Sequence, residues 1–125
     1  MTECINFTVA IPTYNGASRL PEVLERLQNQ LHTENISWEI IVVDNNSTDN
    51  TADIVKNYQQ NWQYPFSLKY SFEPRQGAAY ARERGVSEAK GEFIGFLDDD
   101  NYPLSNWVAK AYEFAQKYPQ AGAIA

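Results

Sequence analysis

The segment Trp38-Glu39-Ile40-Ile41-Val42-Val43 constrains this chain more than any other part of it. It is a nearly unbroken run of β-branched and aromatic residues that stops at Asp44. A strand with one wet face alternates apolar and polar side chains, whereas a strand without that alternation is covered on both faces, as in the interior of a parallel sheet. Parallel neighbours need connections long enough to hold a helix. The run therefore predicts a chain in which strands and helices take turns.

The rest of the sequence keeps that rhythm. Ile5 to Pro12 reads as a first strand, with Phe7, Val9 and Ile11 alternating around Thr8 and Ala10. Leu20, Val23, Leu24, Leu27 and Leu31 follow helical spacing, with Pro21 in the opening turn where its missing N–H does no harm. After Asp44, the segment Asn45-Asn46-Ser47-Thr48-Asp49 is rich in helix-capping residues, and Ile54, Val55 and Tyr58 mark a second amphipathic helix. Phe66, Leu68, Tyr70 and Phe72 alternate as in a half-buried third strand. Gly77 to Ala89 has helical composition that Gly85 threatens to interrupt. Phe93 to Leu97 reads as a fourth strand, and the residues from Leu104 to Tyr118 as a helix with Ser105 as its cap and Pro119 as its stop. Gly122 to Ala125 begins a further strand. The expected fold class is α/β, a mostly parallel Rossmann-like sheet with helices on both faces.

At 125 residues and 14.3 kDa the chain is one domain or part of one. A formal charge of −6 opposes binding to nucleic-acid phosphates or anionic lipid. The single cysteine, Cys4, cannot form an internal disulfide and reads as a core or edge residue; with the single histidine, His32, it cannot build a zinc site. A reducing, cytoplasmic setting is the expectation. No apolar run approaches the roughly 18 residues of a membrane span, and Met1 to Asn6 carries no basic leader pattern.

Four groups of residues suit chemistry. Asp98-Asp99-Asp100 follows the fourth strand directly, and ligands of open α/β sheets bind beyond the carboxyl ends of strands. Three adjacent carboxylates repel one another; a hard cation such as Mg²⁺ or Mn²⁺, sharing one or two of them with phosphate oxygens, relieves the repulsion. An acidic turn left to solvent relieves it equally well. Asp44 ends the second strand at the same edge, placed either to accept hydrogen bonds from a base or ribose or to open the capping loop. Pro12-Thr13-Tyr14-Asn15 follows the first strand, with Tyr14 able to stack on a base or simply to form a turn. Gly77 permits close backbone approach, and Arg82 and Arg84 each offer a guanidinium fork to a diphosphate. Two residues apart on a helix, the arginines cannot both face one site, and spacing does not choose between them. His32 reads as a solvated residue near a helix end.

Taken together, Val9-Ala10-Ile11-Pro12-Thr13-Tyr14-Asn15, the stretch from Ile41 to Thr51, Gly77 with Ala81-Arg82, and Phe96-Leu97-Asp98-Asp99-Asp100 resemble glycosyltransferase family 2 in order and spacing. The resemblance implies a GT-A fold, a nucleotide-sugar donor with UDP-sugars foremost, Mg²⁺ or Mn²⁺, and inversion at the anomeric carbon. Carried onto these positions, it implies that Pro12, Thr13, Tyr14 and Asp44 contact the nucleoside, with Asp44 partnering the base. Gly77 and Arg82 then lie near the nucleotide, Asp99 near ribose or sugar, and Asp98 and Asp100 in the metal-binding region, with Asp100 the direct ligand. Asn45 and Asn46 stand where many relatives carry Asp and Gly.

In the family the acceptor site and general base lie further along the chain, so residues 1–125 are expected to be the donor-binding part of a truncated GT-A domain. Such a part binds nucleotide and metal but does not itself transfer sugar, and its catalytic residues lie beyond Ala125. An unpaired sheet edge also suggests self-association as a homodimer. The setting would be polysaccharide or glycan assembly in the cytoplasm, or at the inner membrane face in a longer protein. A non-catalytic nucleotide-binding module is the competing reading. A dehalogenase-like phosphatase would need an aspartate nucleophile after the first strand, a dehydrogenase G-x-G-x-x-G there, and a prenyl-diphosphate enzyme a second acidic motif; none of these patterns is present.

Overall fold

The computed structural model describes residues 4–119 and 123–124. Five strands form one sheet: β1 (Ile5–Thr13), β2 (Trp38–Asp44), β3 (Ser67–Phe72), β4 (Gly91–Phe96) and β5 (Ala123–Ile124). Their order is β3-β2-β1-β4-β5, and every pairing is parallel. Helices α1 (Leu20–Gln28), α2 (Thr51–Gln60), α3 (Ala78–Glu88) and α4 (Trp107–Lys117) make the connections. The expected α/β class with helices on both faces is what the chain adopts. Gly122 and Ala125 of the expected last strand lie outside the described residues.

The period of two along the central strands assigns the two faces. Phe7, Val9 and Ile11 of β1, with Ile40 and Val42 of β2, pack against α1, α2 and α4 in the main core. Ile41 and Val43 face the other way and meet Ala81 of α3. In α1, Leu20, Val23, Leu24 and Leu27 are all buried, each contributing roughly 1.5–3 kcal/mol of burial. Unbroken apolarity in β2 thus has its physical cause: both of its faces are covered.

On the α3 face, buried Glu39 accepts hydrogen bonds from the Thr8 hydroxyl at 2.7 Å, the Lys69 ammonium at 2.7 Å and the Lys90 N–H at 2.8 Å. Burial pushes its carboxyl up, but these donors outweigh burial and hold it below the usual value. One charged residue is therefore tolerated inside the apolar run because it is paired.

Several local expectations are corrected. Gly85 does not interrupt α3; it lets the helix lie close on the sheet, since a Cβ there would stand 3.3 Å from that of Ala10. Helix α1 stops at Gln28, and Leu31 is exposed. The segment after Gln28 is drawn toward α4 instead: Leu31 N–H donates to the Ser105 carbonyl at 2.7 Å, and Gln30 Nε2 to that of Leu104 at 2.8 Å. His32 consequently sits in a loop with φ of 65°, beyond the helix end. Ser105 does not cap α4; Gln30 Oε1 accepts the Val108 N–H at 2.9 Å in its place. Along β3 the alternation fails after Leu68: Ser71 is buried and hydrogen-bonded to Glu88, while Phe72 is exposed on this edge strand. Cys4 is exposed just before β1. Among the described residues, no helix is long and apolar enough to cross a membrane.

Candidate functional site

The chain runs β1 to β2 to β3 outward on one side of the sheet, then returns to place β4 on the far side of β1. That reversal opens a crevice between the carboxyl ends of β1 and β4. Ladder pairing of the two strands ends near Ala10 and Phe96, where Leu97 N–H reaches the Ala10 carbonyl at 2.9 Å. Beyond it, Pro12 has no N–H to offer a further rung, and the strands part.

The resulting cleft, about 300 Å³, is lined by Pro12, Thr13 and Tyr14 after β1, by Arg82 of α3, and by Asp98 and Asp99 after β4. Three motifs separated widely in sequence thus meet at one place. A contiguous hollow of about 320 Å³ shares Tyr14, Asn45 and Ala78 with it and adds Gln76 and Gly77. Asp44 lines neither hollow: it is 3 % exposed, with Oδ1 accepting the Ser47 N–H at 3.0 Å and Oδ2 the Tyr70 hydroxyl at 2.6 Å. Burial, then that bond to Asp44, push the Tyr70 phenol well above its ordinary value and keep it a donor. Asp100 is exposed and lies outside the cleft lining.

Tertiary contacts distinguish the two arginines. Arg84 Nε bonds Glu73 Oε1 at 3.1 Å and its Nη1 bonds Glu88 at 3.2 Å, so it is committed to structure. Arg82 has no ion pair among the described residues; it lies with its guanidinium carbon 5.8 Å from the Phe96 ring centre and lines the cleft.

The carboxylate triplet divides in the same way. Asp99 Oδ2 accepts the Thr13 hydroxyl at 2.6 Å and Arg19 Nη2 at 3.0 Å, and Arg19 Nε donates to Oδ1 at 3.1 Å. That bidentate bond, with the Asp99 charge, raises the Arg19 guanidinium above its ordinary value. Asp98 and Asp100 are exposed and have no side-chain partner among the described residues. No three His, Cys, Asp or Glu side chains converge among the described residues. Two free carboxylates beside an open cleft suit Mg²⁺ or Mn²⁺, which retain waters and take substrate phosphates in place of an all-protein cage.

Sequence reasoning missed Arg19 and Asn45. Asn45 Nδ2 donates to the carbonyls of Glu73 at 3.1 Å and Arg75 at 2.8 Å, and its Oδ1 accepts the Gly77 N–H at 2.9 Å. It thereby ties the end of β2 to the loop before α3. Glu73 secures the same loop from within, its carboxylate taking Arg75 Nε at 3.0 Å and Arg84 Nε at 3.1 Å. Bonds from the Arg75 side chain and N–H, with help from Arg84, hold its carboxyl down to about 2. The Asn-rich capping loop is stapled to the β1–α1 loop, with Asn15 Oδ1 accepting the N–H groups of Thr48 at 2.8 Å and Asp49 at 3.2 Å. Asn50 rather than Ser47 or Thr48 stands at the helix start, and Asp49 serves the N–H of Thr51 at 3.0 Å.

An open parallel α/β domain with polar groups gathered at its switch point is the class this fold defines. Within that class the chain belongs to glycosyl transferase family 2, whose sequence model matches residues 8–125. The poly(ribitol-phosphate) β-N-acetylglucosaminyltransferase TarS of Staphylococcus aureus is 34 % identical over 116 residues, covering 91 % of this chain and 19 % of that relative. The GalNAc(5)-diNAcBac-PP-undecaprenol β-1,3-glucosyltransferase of Campylobacter jejuni is 36 % identical over 112 residues, covering 88 % of this chain and 34 % of the relative. Among solved structures, the mannosyltransferase PcManGT of Pyrobaculum calidifontis with GDP-Man and Mn²⁺ superposes with a TM-score of 0.79 at 29 % identity, over 91 % of this chain and 33 % of that one. S. aureus TarS 1–349 with UDP superposes at 0.76 and 31 % identity, over 92 % of this chain and 33 % of that one. The sheet is of the GT-A type these neighbours share. The chain spans about a third or less of the length of these relatives.

Proposed function

We propose that residues 1–125 form the donor-binding part of an inverting glycosyltransferase that moves a sugar from a nucleoside diphosphate, UDP foremost, to an acceptor hydroxyl in polysaccharide or glycan assembly. Pro12, Thr13, Tyr14, Asp44, Gly77, Arg82 and Asp99 serve the nucleotide, and Asp98 and Asp100 hold Mg²⁺ or Mn²⁺. Tyr14, half exposed at the cleft, stacks on the base. Asp44 keeps lone pairs for a base N–H because Ser47 and Tyr70 use one on each oxygen. Arg82, free of ion pairs among the described residues, faces the diphosphate. The cation, when bound, offsets the charge that develops on the leaving diphosphate. The general base that takes the acceptor proton is assigned to no residue of this chain, which on this reading binds donor without transferring sugar.

The observation that carries the proposal is the meeting of Tyr14, Arg82 and Asp98 in one cleft at the sheet's switch point, although they come from three separate motifs. The test is calorimetric titration of UDP, with GDP for comparison, with and without Mn²⁺, into the wild-type chain and an Asp100→Ala variant. Metal-dependent binding that the variant loses is the expected result; no binding of either nucleotide under any metal condition contradicts it.

A further inference from the structure

Among the four charged side chains that line the cleft, two are bound to each other and two make no side-chain hydrogen bond or ion pair among the described residues. The bound pair, Arg19 and Asp99, joins residues 80 positions apart and is closed from the other side by the Thr13 hydroxyl. A second feature is built around the same contact. At Gly16 a Cβ would overlap Thr13 Oγ1 and come 2.6 Å from Asp99 Oδ2, so the loop carries no side chain where these groups meet. Gly16 is itself buried and fixed by the Thr51 hydroxyl, which accepts its N–H at 3.1 Å. Asp99 is only 13 % exposed, whereas Arg19 keeps a third of its side chain in solvent at the cleft.

We propose that Arg19 is a positioning residue that balances charge in the triplet: it withdraws Asp99 from the cation, leaving Asp98 and Asp100 as the two available carboxylates. Asp99 in turn keeps the Arg19 charge from acting fully on an incoming diphosphate. Asp99 then serves the nucleotide through Arg19, not by a contact of its own. The inference rests on the donor-site reading above and gives Asp99 a role within it. A middle carboxylate without its arginine would add a third anion beside two others, strengthening attraction for a bare cation and repulsion of a bare diphosphate. An arginine without its carboxylate would do the reverse.

These opposite signs make the test. Mn²⁺ binding without nucleotide is measured by the loss of the free-ion electron paramagnetic resonance signal, and UDP binding without metal by calorimetry. The proteins compared are wild type, Arg19→Ala, Asp99→Asn and the double variant. Arg19→Ala is expected to tighten Mn²⁺ and weaken UDP, and Asp99→Asn to weaken Mn²⁺ and tighten UDP, each by about fivefold, the scale of one partly solvated charge contact. The double variant, with neither charge, returns both affinities to within about twofold of wild type, because the two opposite shifts cancel. Simple damage to the fold would weaken both ligands in both single variants. Shifts of the same sign in Arg19→Ala and Asp99→Asn, a double variant that keeps the shift of either single variant, or no Mn²⁺ binding in any of the four proteins overturns the proposal. The Mn²⁺ arm needs no nucleotide, so opposite metal shifts without UDP binding would keep the charge balance and discard the donor site. UDP binding with like-signed metal shifts would do the converse.

Discussion

Replacing Asn45 with Asp changes one nitrogen to oxygen, yet the hydrogen-bond pattern around Asn45 makes that change expensive. The amide nitrogen donates to two carbonyls, of Glu73 and Arg75, while the amide oxygen takes the Gly77 N–H. A carboxylate can do the last and neither of the first two. It would leave two carbonyls without donors at a residue 6 % exposed and point a negative charge at them. Each lost partner costs about 1–3 kcal/mol, so the loss of two should destabilise the fold by about 2–6 kcal/mol. With an unfolding entropy of about 2.1 cal/mol/K per residue, 1 kcal/mol moves the midpoint of a chain this size by about 4 °C. A fall of about 8–24 °C in a thermal scan is the expected outcome. The control is the same change one residue on: Asn46 is exposed, its side chain makes only a 3.4 Å contact with the Pro74 carbonyl, and Asn46→Asp should stay within about 0.5 kcal/mol. If Asn45→Asp were as stable as Asn46→Asp, the three bonds would not be what ties the α3 loop to the end of β2.

Three further outcomes follow from the packing and charge. Glu73 has its carboxyl held down to about 2 from an ordinary 4.5, so it stabilises the fold above about 4.5 and that contribution fades as pH falls toward 2. In urea unfolding, the gap between wild type and Glu73→Gln should be widest above pH 5 and narrow on acidification; a gap independent of pH would contradict the role given to Arg75 and Arg84. Gly95→Ala would set a Cβ 2.5 Å from Phe7 Cζ and 3.3 Å from Trp107, and this overpacking should cost about 1–3 kcal/mol by chemical denaturation. Among the described residues strand β3 pairs only with β2, and it exposes Phe72, so we propose that this edge mediates self-association. Sedimentation velocity should show dimer that Phe72→Lys dissolves, and monomer alone at all concentrations would count against it.

The sheet was legible because its strands are set by composition over short range. The runs ending at Pro12, Asp44 and Leu97 carry their own stop signals, and the places where they stop mark the edge that bears the cleft. What misled was apolar periodicity that outran its helix, as at Leu31, where contacts of Gln30 and Leu31 with the start of α4 override local spacing. Gly85 illustrates the converse: a residue unfavourable to an isolated helix is required by how closely α3 lies on Ala10. Within the site, Asp98, Arg82 and Tyr14 were readable as chemistry next to strand ends. Arg19 and Asn45 were not, since the partner of one lies 80 residues away and those of the other about 30. Asn45 looked like a member of a capping loop, and only the tertiary fold supplies the three groups it serves. Gly16 was the nearest available signal for the Thr13–Asp99 contact, and as one glycine in a turn it had many ordinary explanations.

The measurement that most directly tests the central claim is the amide NMR spectrum of this chain titrated with UDP and a substoichiometric amount of Mn²⁺. The account predicts paramagnetic broadening centred on residues 98–100 and extending to Tyr14, Gly77 and Arg82. Broadening centred instead on the cavity at the opposite end of the sheet, lined by Thr33, Trp38, Pro65 and Phe66, would contradict it.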